Sequence, residues 1–548
     1  MTDFRDKVVY QIYPKSFKDS NGDGIGDLRG IYEKLDYLEK LGVDYLWLTP
    51  FFISPQNDNG YDVADYLNID PLFGTMDDLD ALIHEASKKN IGLMLDMVFN
   101  HTSTEHEWFK KALQGEKKYM DYYIFKDGTP DTPPTNWESK FGGSAWEYVP
   151  HLKKWYLHLF DVTQADLNWE NPEVREELKN IIRFWKAKGI KGFRFDVVNL
   201  ISKPAIFEND YEGDGRRFYT DGPHVHEFLK ELVRDTDIAH MVTVGEMSST
   251  SIDHCIKYSN PMEKELSMCF NFHHLKVDYK DGNKWELMPP DIKALKKLFK
   301  EWQLGMEKNN GWNAVFWCNH DQPRIVSRLG DDKNYHTTSA KMLATSIHTL
   351  RGTPYIYQGE EIGMTNAYYT SIDQYKDVES LNYYKIMLER GKTPEEALTI
   401  LGARSRDNGR TPMQWDSTAY AGFSTTTPWL TIPNNYTTIN AHAALEDTNS
   451  VFHYYQQLIA LRKNKKAISI GHIDFLYEEE ENVFAYRRFT DKEEILVLNH
   501  FGDEEKILAH TLDLSNYKYI LGNYEGITAD ENTIRLRPYE SIILEKIN

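Results

Sequence analysis

Eight short windows of nearly continuous apolar residues punctuate the first two thirds of the chain. They are Val8–Pro14 (VVYQIYP), Val43–Pro50, Gly92–Phe99, Gly192–Val198, Met241–Met247, Ser267–Phe272, Asn313–Asp321 and Thr353–Gly359. Runs of this length and texture read as strands covered on both faces. Between several of them, apolar positions recur every three or four residues, as in Ile31–Gly42 (IYEKLDYLEKLG) and Met76–Asn90. Eight strand-then-helix units predict an α/β fold, a (β/α)8 TIM barrel. In such a barrel, functional residues gather at the C-terminal ends of the strands.

Two stretches break the alternation. Thr102–Glu170 is rich in Pro, Gly, Trp and Asn and precedes the helical NPEVREELKNIIRFW. It reads as an inserted subdomain, 102–170, over the barrel mouth, dividing the barrel into segments 1–101 and 171–466. A second long excursion runs through Gly363–Tyr436. From 467 to 548 the pattern shifts to short alternating runs, VFAYRRF, EILVLNH, YKYILGN and SIILEKI. These predict a C-terminal antiparallel β-domain, a sandwich in outline.

Composition narrows the partners. The 548 residues carry 63 basic and 84 acidic side chains, a net charge of −21. That field disfavours nucleic acid and anionic membranes, and an anionic substrate needs a local basic patch. The three cysteines, Cys255, Cys269 and Cys318, are too few for a disulfide framework. There is no run of about 18 apolar residues and no leader-like segment, so a soluble cytoplasmic protein with no obligate protein partner is expected.

The candidate chemistry sits at strand ends. The third, fourth, fifth and seventh windows end in or near Asp96, Asp196, Glu246 and Asp321, with His101, Arg194 and His320 close by. In GFRFD, Arg194 and Asp196 are two apart and share a strand face. An arginine there keeps the carboxylate ionised, as a nucleophile requires. Glu246, in GEM, is placed to hold a proton and act as general acid. Two such carboxyls about 5–5.5 Å apart define a retaining glycosidase.

In order and spacing, DMVFNH, GFRFD, GEM and NHD resemble the signature stretches of the family 13 glycoside hydrolases, and the likeness extends over essentially the whole chain. It implies Asp196 as nucleophile, Glu246 as acid/base and Asp321 as the residue gripping the sugar. His101, Arg194 and His320 are then glucose contacts or orienting groups, Tyr61 stacks under the glucose ring, and Phe160 lines the pocket. RDNGRTPMQW (Arg406–Trp415) is similar to the oligo-1,6-glucosidase branch. There an Asp and an Arg close the pocket's inner end, matched here by Asp58 and Arg410, with Arg406 as a rival.

The loop KDSNGDGIGDLRG (Lys18–Gly30) places oxygen donors at Asp19, Asn21, Asp23 and Asp27, with the Ile25 carbonyl between them. This is EF-hand spacing, but Gly30 stands where a bidentate Glu belongs. Spacing alone leaves a metal loop and a glycine-rich turn about even. The branch resemblance implies a structural calcium site, or in some members magnesium.

GEMSSTS, ELSMCFNFHHLKVDY, FWCNHDQPRIVSRLG and QADLNW are most similar to the trehalose 6-phosphate-cleaving members of that branch. The resemblance implies a phosphorylated disaccharide as substrate; the alternative is isomaltose and other short α-1,6-glucans. Val197, after the candidate nucleophile, resembles the branch that accepts α-1,6 and related linkages. The loop after the sixth strand offers His274, Lys276, Lys280 and Lys284. Lys276 and Lys284 are the favoured phosphate ligands, since lysines converge on phosphate without strict geometry.

Overall fold

The computed structural model describes residues 3–510 and 513–547. All eight strand windows hold a strand, here numbered β1 (Val9–Ile12), β2 (Tyr45–Leu48), β3 (Gly92–Met97), β4 (Gly192–Phe195), β5 (Val242–Glu246), β6 (Met268–Phe270), β7 (Ala314–Phe316) and β8 (Thr353–Tyr357). They pair in parallel in the order 6-5-4-3-2-1-8-7. A parallel bridge between Cys269 and Asn313 joins β6 to β7 and closes the barrel. The chain is therefore a TIM barrel with a C-terminal antiparallel sheet domain.

Local chemistry explains several boundaries. Helix Met76–Lys88 starts at a capping box, Thr75 with Asp78, and helix Pro172–Ala187 starts at Asn171 with proline in its first turn. The expected helix over Ile31–Gly42 is two helices, Leu28–Glu33 and Leu35–Leu41, broken at Lys34 (φ −106°, ψ 8°). The start at Leu28 is set by Asp27, whose carboxylate caps Gly30 N. The seventh window is strand only to Phe316. Beyond it Trp317–Asp321 leave the sheet, which turns His320 and Asp321 toward the barrel mouth.

The 102–170 stretch folds around a three-stranded antiparallel sheet, Phe125–Asp127, Lys154–Leu157 and Trp146–Val149, with Lys154–Leu157 in the middle. Its neck is an antiparallel pair, His101–Ser103 with Gln164–Asp166. A cluster including Trp137, Trp146, Leu159, Val197 and Leu200 packs the insert onto the turn after β4. At the C-terminus, His472–Leu476, Val483–Phe489, Glu494–His500, Ser541–Lys546 and Tyr517–Gly522 form a five-stranded sheet in that order. Val483, Ala485, Leu496 and Leu498 alternate into a core shared with Leu508, Ile534 and Leu536 of a second, three-stranded sheet. All three cysteines are buried free thiols.

Candidate active site

At the C-terminal end of the barrel the pleat and register put the carboxyls side by side. Arg194 pairs in register with Asp96 on one side and Val244 on the other. Carried two rows further, the β4–β5 register sets Asp196 beside Glu246, and neighbouring strands lie about 4.8 Å apart. Arg194, 1% exposed, ties the three together. Its Nη1 donates to Asp96 Oδ1 at 2.8 Å and to Asp196 Oδ1 at 2.6 Å, and its Nη2 donates to Glu246 Oε2. Trp47 Nε1 and the Tyr61 hydroxyl donate to the other Asp96 oxygen. Burial raises the Asp96 carboxyl to about 6 against the pull of Arg194. Asp96 thus acts as the buried anchor of Arg194, while Glu246 lines the cleft with Asp196 beside it.

Val197 follows Asp196 with φ 34° and ψ 41°. A β-branched residue in the left-handed region stores of order 1–3 kcal/mol of strain. Its side chain is held by the apolar cluster at the insert's base.

His320 and His101 are both buried, and burial lowers both imidazole pKa values, that of His320 to about 3. Gln11 Nε2 donates to His320 Nδ1 at 2.8 Å, which leaves the proton on Nε2, 3.3 Å from Asp321 Oδ2. His101 Nε2 donates to the Tyr61 carbonyl at 3.1 Å. The Tyr61 ring lies parallel to that of His320, with centroids 5.0 Å apart. The Phe160 ring stands 5.2 Å from that of His101.

The inner end is closed by a charge network in which the rival arginine takes the central place. Arg406 Nη2 lies 3.3 Å from Asp58 Oδ1 and 2.6 Å from Asp377 Oδ1, and its Nη1 lies 3.3 Å from Asp321 Oδ1. Arg410 donates to Asp321 at 2.8 Å and to the His320 carbonyl; it is Arg406 that reaches Asp58. Burial pushes Asp321 up, but His320, Arg406 and Arg410 outweigh it and hold the carboxyl far below the usual range. Asp58 rises to about 7, because burial there exceeds the pull of Arg406 and Arg410. Gln164, from the insert's neck, donates to Asp58 and to the Tyr61 carbonyl. Beside it a buried ion pair, Lys203 to Asp166 at 2.9 Å, fastens the insert to the barrel. Lys203 also donates to Asn100, the neighbour of His101.

A cleft of about 870 Å³ opens above these groups, with Glu246 and Asp321 on its floor and Lys140, Lys276 and Lys284 on its walls. Lys284 Nζ is engaged by Glu379 at 2.6 Å. Lys276 stands exposed at the mouth, where the cleft walls and then Arg216 lower its pKa. Lys280 is likewise exposed. His274 turns away, buried with Nε2 on the Phe316 carbonyl.

The acidic loop lies apart from this centre. Asp19 accepts from Asn21 N, Gly22 N, Gly24 N and Ser424 Oγ. Asn21 accepts from Asp23 N, Asp23 from Ile25 N, and Asp27 from Ser20 and Gly30. The donor set is all oxygen, as hard divalent cations prefer. Four protein donors already meet the Asp19 carboxylate, and among the described residues no three His, Cys, Asp or Glu side chains converge on one point. In this arrangement the loop is closed by its own amides and by Ser424.

This geometry coincides with what comparison finds. Residues 11–471 match the alpha-amylase catalytic domain and residues 483–543 match the SusG-type alpha-amylase C-terminal domain. The chain belongs to the alpha-amylase family, the family 13 glycoside hydrolases, and its barrel is that of a glycoside hydrolase. Within the family it is 55% identical to a trehalose-6-phosphate hydrolase of Bacillus subtilis, covering 98% of this chain and 97% of that one. It is 45% identical to an oligo-1,6-glucosidase of Bacillus cereus, with 99% of each chain covered. The crystal structure of Bacillus licheniformis trehalose-6-phosphate hydrolase superposes with a TM-score of 0.95 at 53% identity, covering all of both chains. Among the described residues no helix is long and apolar enough to cross a membrane.

Proposed function

We propose that this protein hydrolyses α,α-trehalose 6-phosphate to glucose and glucose 6-phosphate, with retention at the anomeric carbon, in the cytoplasm. Asp196, paired with Arg194 at 2.6 Å, attacks C1 of the unphosphorylated glucose. Glu246 exchanges its contact with Arg194 for the bridging oxygen and protonates it as glucose 6-phosphate leaves. Water then attacks the glucosyl ester with Glu246 as base. Asp321, anionic under two arginines, takes the glucose hydroxyls as the ring flattens, and Asp58 with Arg406 closes the far end, so the enzyme acts at chain termini. Neutral His101 and His320 orient without adding charge to the oxocarbenium-like transition state. Lys276 and Lys284 at the mouth meet the phosphate.

The observation that carries the chemistry is the single buried guanidinium shared by Asp196 and Glu246 on adjacent strands. The phosphate preference is supported by the cations at the cleft mouth and by the identity to the B. subtilis enzyme. One observation favours the second reading, α-1,6-glucan ends: Glu379 already neutralises Lys284. Proton NMR of a fresh reaction with trehalose 6-phosphate tests the proposal. Equimolar α-glucose and glucose 6-phosphate are expected; release of β-glucose first, or no turnover, overturns it.

We also propose that the Asp19–Asp27 loop takes a calcium or magnesium ion in a purely structural role. Its all-oxygen donors support this, and it lies outside every step above.

A further inference from the structure

The wall of the cleft beside Asp321 carries a side chain that no step of the proposed mechanism uses. Gln322 follows Asp321 directly and lines the cleft with Leu275 and Tyr279 of the loop after β6. We propose that Gln322 reads the leaving sugar, its side-chain amide N–H donating to a hydroxyl of that sugar, with Arg328 and Asp278 as the residues that position it. The assignment rests on the disaccharide reading above, and it applies to any substrate whose leaving group is a sugar.

The direction of the amide follows from its partner. Arg328 Nη1 donates to Gln322 Oε1 at 2.9 Å. A guanidinium has donors only, so the amide oxygen must face it and the NH2 group must point the other way. On that side Nε2 meets no acceptor among the described residues. The main chain is fixed as well, with the Gln322 N–H on the Asn319 carbonyl at 3.2 Å. Asp58 and Arg406 close the far end of the pocket. The second sugar can therefore lie only toward the mouth, along the wall that Gln322 shares with Tyr279.

Arg328 is itself held. Its Nε and Nη2 make a two-pronged contact with the Asp278 carboxylate, at 2.8 and 2.7 Å, and Nη2 also donates to the Leu275 carbonyl. Such a fork fixes the plane of the guanidinium as well as its position. Arg404, the last residue of helix Pro394–Arg404, donates to the same carboxylate and to the Asp278 carbonyl. All three side chains are at most 5% exposed. Burial pushes the Asp278 carboxyl up, but Arg328 and Arg404 outweigh it and hold it below the usual range. The two guanidinium carbons lie 5.6 and 5.5 Å from the centre of the Tyr279 ring. One carboxylate thus locks together the loop after β6, the residue after Asp321 and the helix that leads into Arg406.

The test compares kcat/KM for trehalose 6-phosphate with kcat/KM for α-glucosyl fluoride, whose leaving group carries no hydroxyl. Gln322→Leu strands a sugar hydroxyl against an apolar side chain, so the ratio of the two is expected to fall about fivefold or more. Arg328→Met frees the amide to turn and lowers the same ratio, while Arg404 still neutralises Asp278. Because Arg328 acts through Gln322, the double variant loses no more than Gln322→Leu alone. Thermal unfolding checks that each variant folds, and the Gln322→Leu comparison stands whether or not Arg328→Met does. A wild type inert toward trehalose 6-phosphate overturns the proposed function; isomaltose, whose leaving group is also a glucose, then takes its place in the ratio. A ratio unchanged by Gln322→Leu overturns the assignment of Gln322, and additive losses in the double variant overturn the positioning role of Arg328.

Discussion

Replacing Arg406 tests the closed end of the pocket, because this one side chain touches four carboxylates. Its Nη2 contacts Asp377 at 2.6 Å and Asp58 at 3.3 Å, its Nη1 contacts Asp321 at 3.3 Å, and its Nε lies 3.6 Å from Glu379. In Arg406→Lys a single ammonium replaces that fork and cannot span Asp58 and Asp321 together. Losing one charge-assisted hydrogen bond that orders the substrate-facing carboxylates is worth about 1.5–3 kcal/mol. That predicts a drop in kcat/KM of about 10- to 150-fold. Arg406→Gln goes further and strands Asp377, which is fully buried, with Arg410 3.7 Å away as its remaining cation. Breaking a buried pair costs about 3–5 kcal/mol. With roughly 2.1 cal/mol/K of unfolding entropy per residue over 548 residues, Tm falls by only about 3–4 °C. In the wild type Asp377 is depressed by Arg406 and Arg410 against the opposing effect of burial. Its stabilisation is therefore present above the ordinary carboxylate pKa and lost as pH falls through the depressed value. The gap between wild type and Arg406→Gln should be wider at pH 8 than at pH 5, where the orphaned carboxyl escapes by protonating. Steady-state kinetics and calorimetry at the two pH values read both effects. If Arg406→Lys stays within twofold of wild type while Arg410→Lys loses a hundredfold, the assignment of the pocket's end to Arg406 is wrong.

Three further outcomes follow from the same geometry. Asp58, raised to about 7 by burial, must be ionised to accept from a glucose hydroxyl, so kcat/KM falls on the acid side with an apparent pKa near 7. Asp58→Asn lowers the plateau and abolishes that limb; an unchanged profile in the variant refutes the role. Lys203→Met leaves Asp166 buried without its cation and lowers stability by about 3–5 kcal/mol, and Lys203→Met with Asp166→Leu recovers most of it; additive losses in the double-mutant cycle rule out coupling. Millimolar calcium raises Tm by a few degrees over the EDTA-treated protein if the Asp19–Asp27 loop binds the ion, and identical Tm values show that its own amides suffice to close it.

The barrel strands were legible because a strand buried on both faces must be apolar over its length, and chain order then fixes a parallel barrel. What was not legible is where the pattern stops obeying the period. Nothing apolar distinguishes Ala314–Phe316 from the next residues, yet the strand ends at Phe316 so that His320 and Asp321 can face the mouth. Lys34 breaks a helix whose apolar spacing runs on through it. Asp96 and Glu246 sit inside regular strands and Asp196 follows directly on another, so Arg194, Asp196 and Glu246 could be placed on one face from spacing alone. Arg406 and Arg410 lie on one irregular excursion, four residues apart, and only the fold decides which of them meets Asp58. Gln164 carries no local signal. Its role arises when the insert's neck folds back onto Asp58, 106 residues away in sequence.

The most direct measurement is kcat/KM of the wild-type enzyme on trehalose 6-phosphate beside isomaltose and free trehalose. A preference for the phosphorylated sugar of a hundredfold or more, about 2.7 kcal/mol of differential transition-state binding, is the predicted result. Isomaltose turned over as well as or better than trehalose 6-phosphate would contradict it and assign the protein to α-1,6-glucan ends.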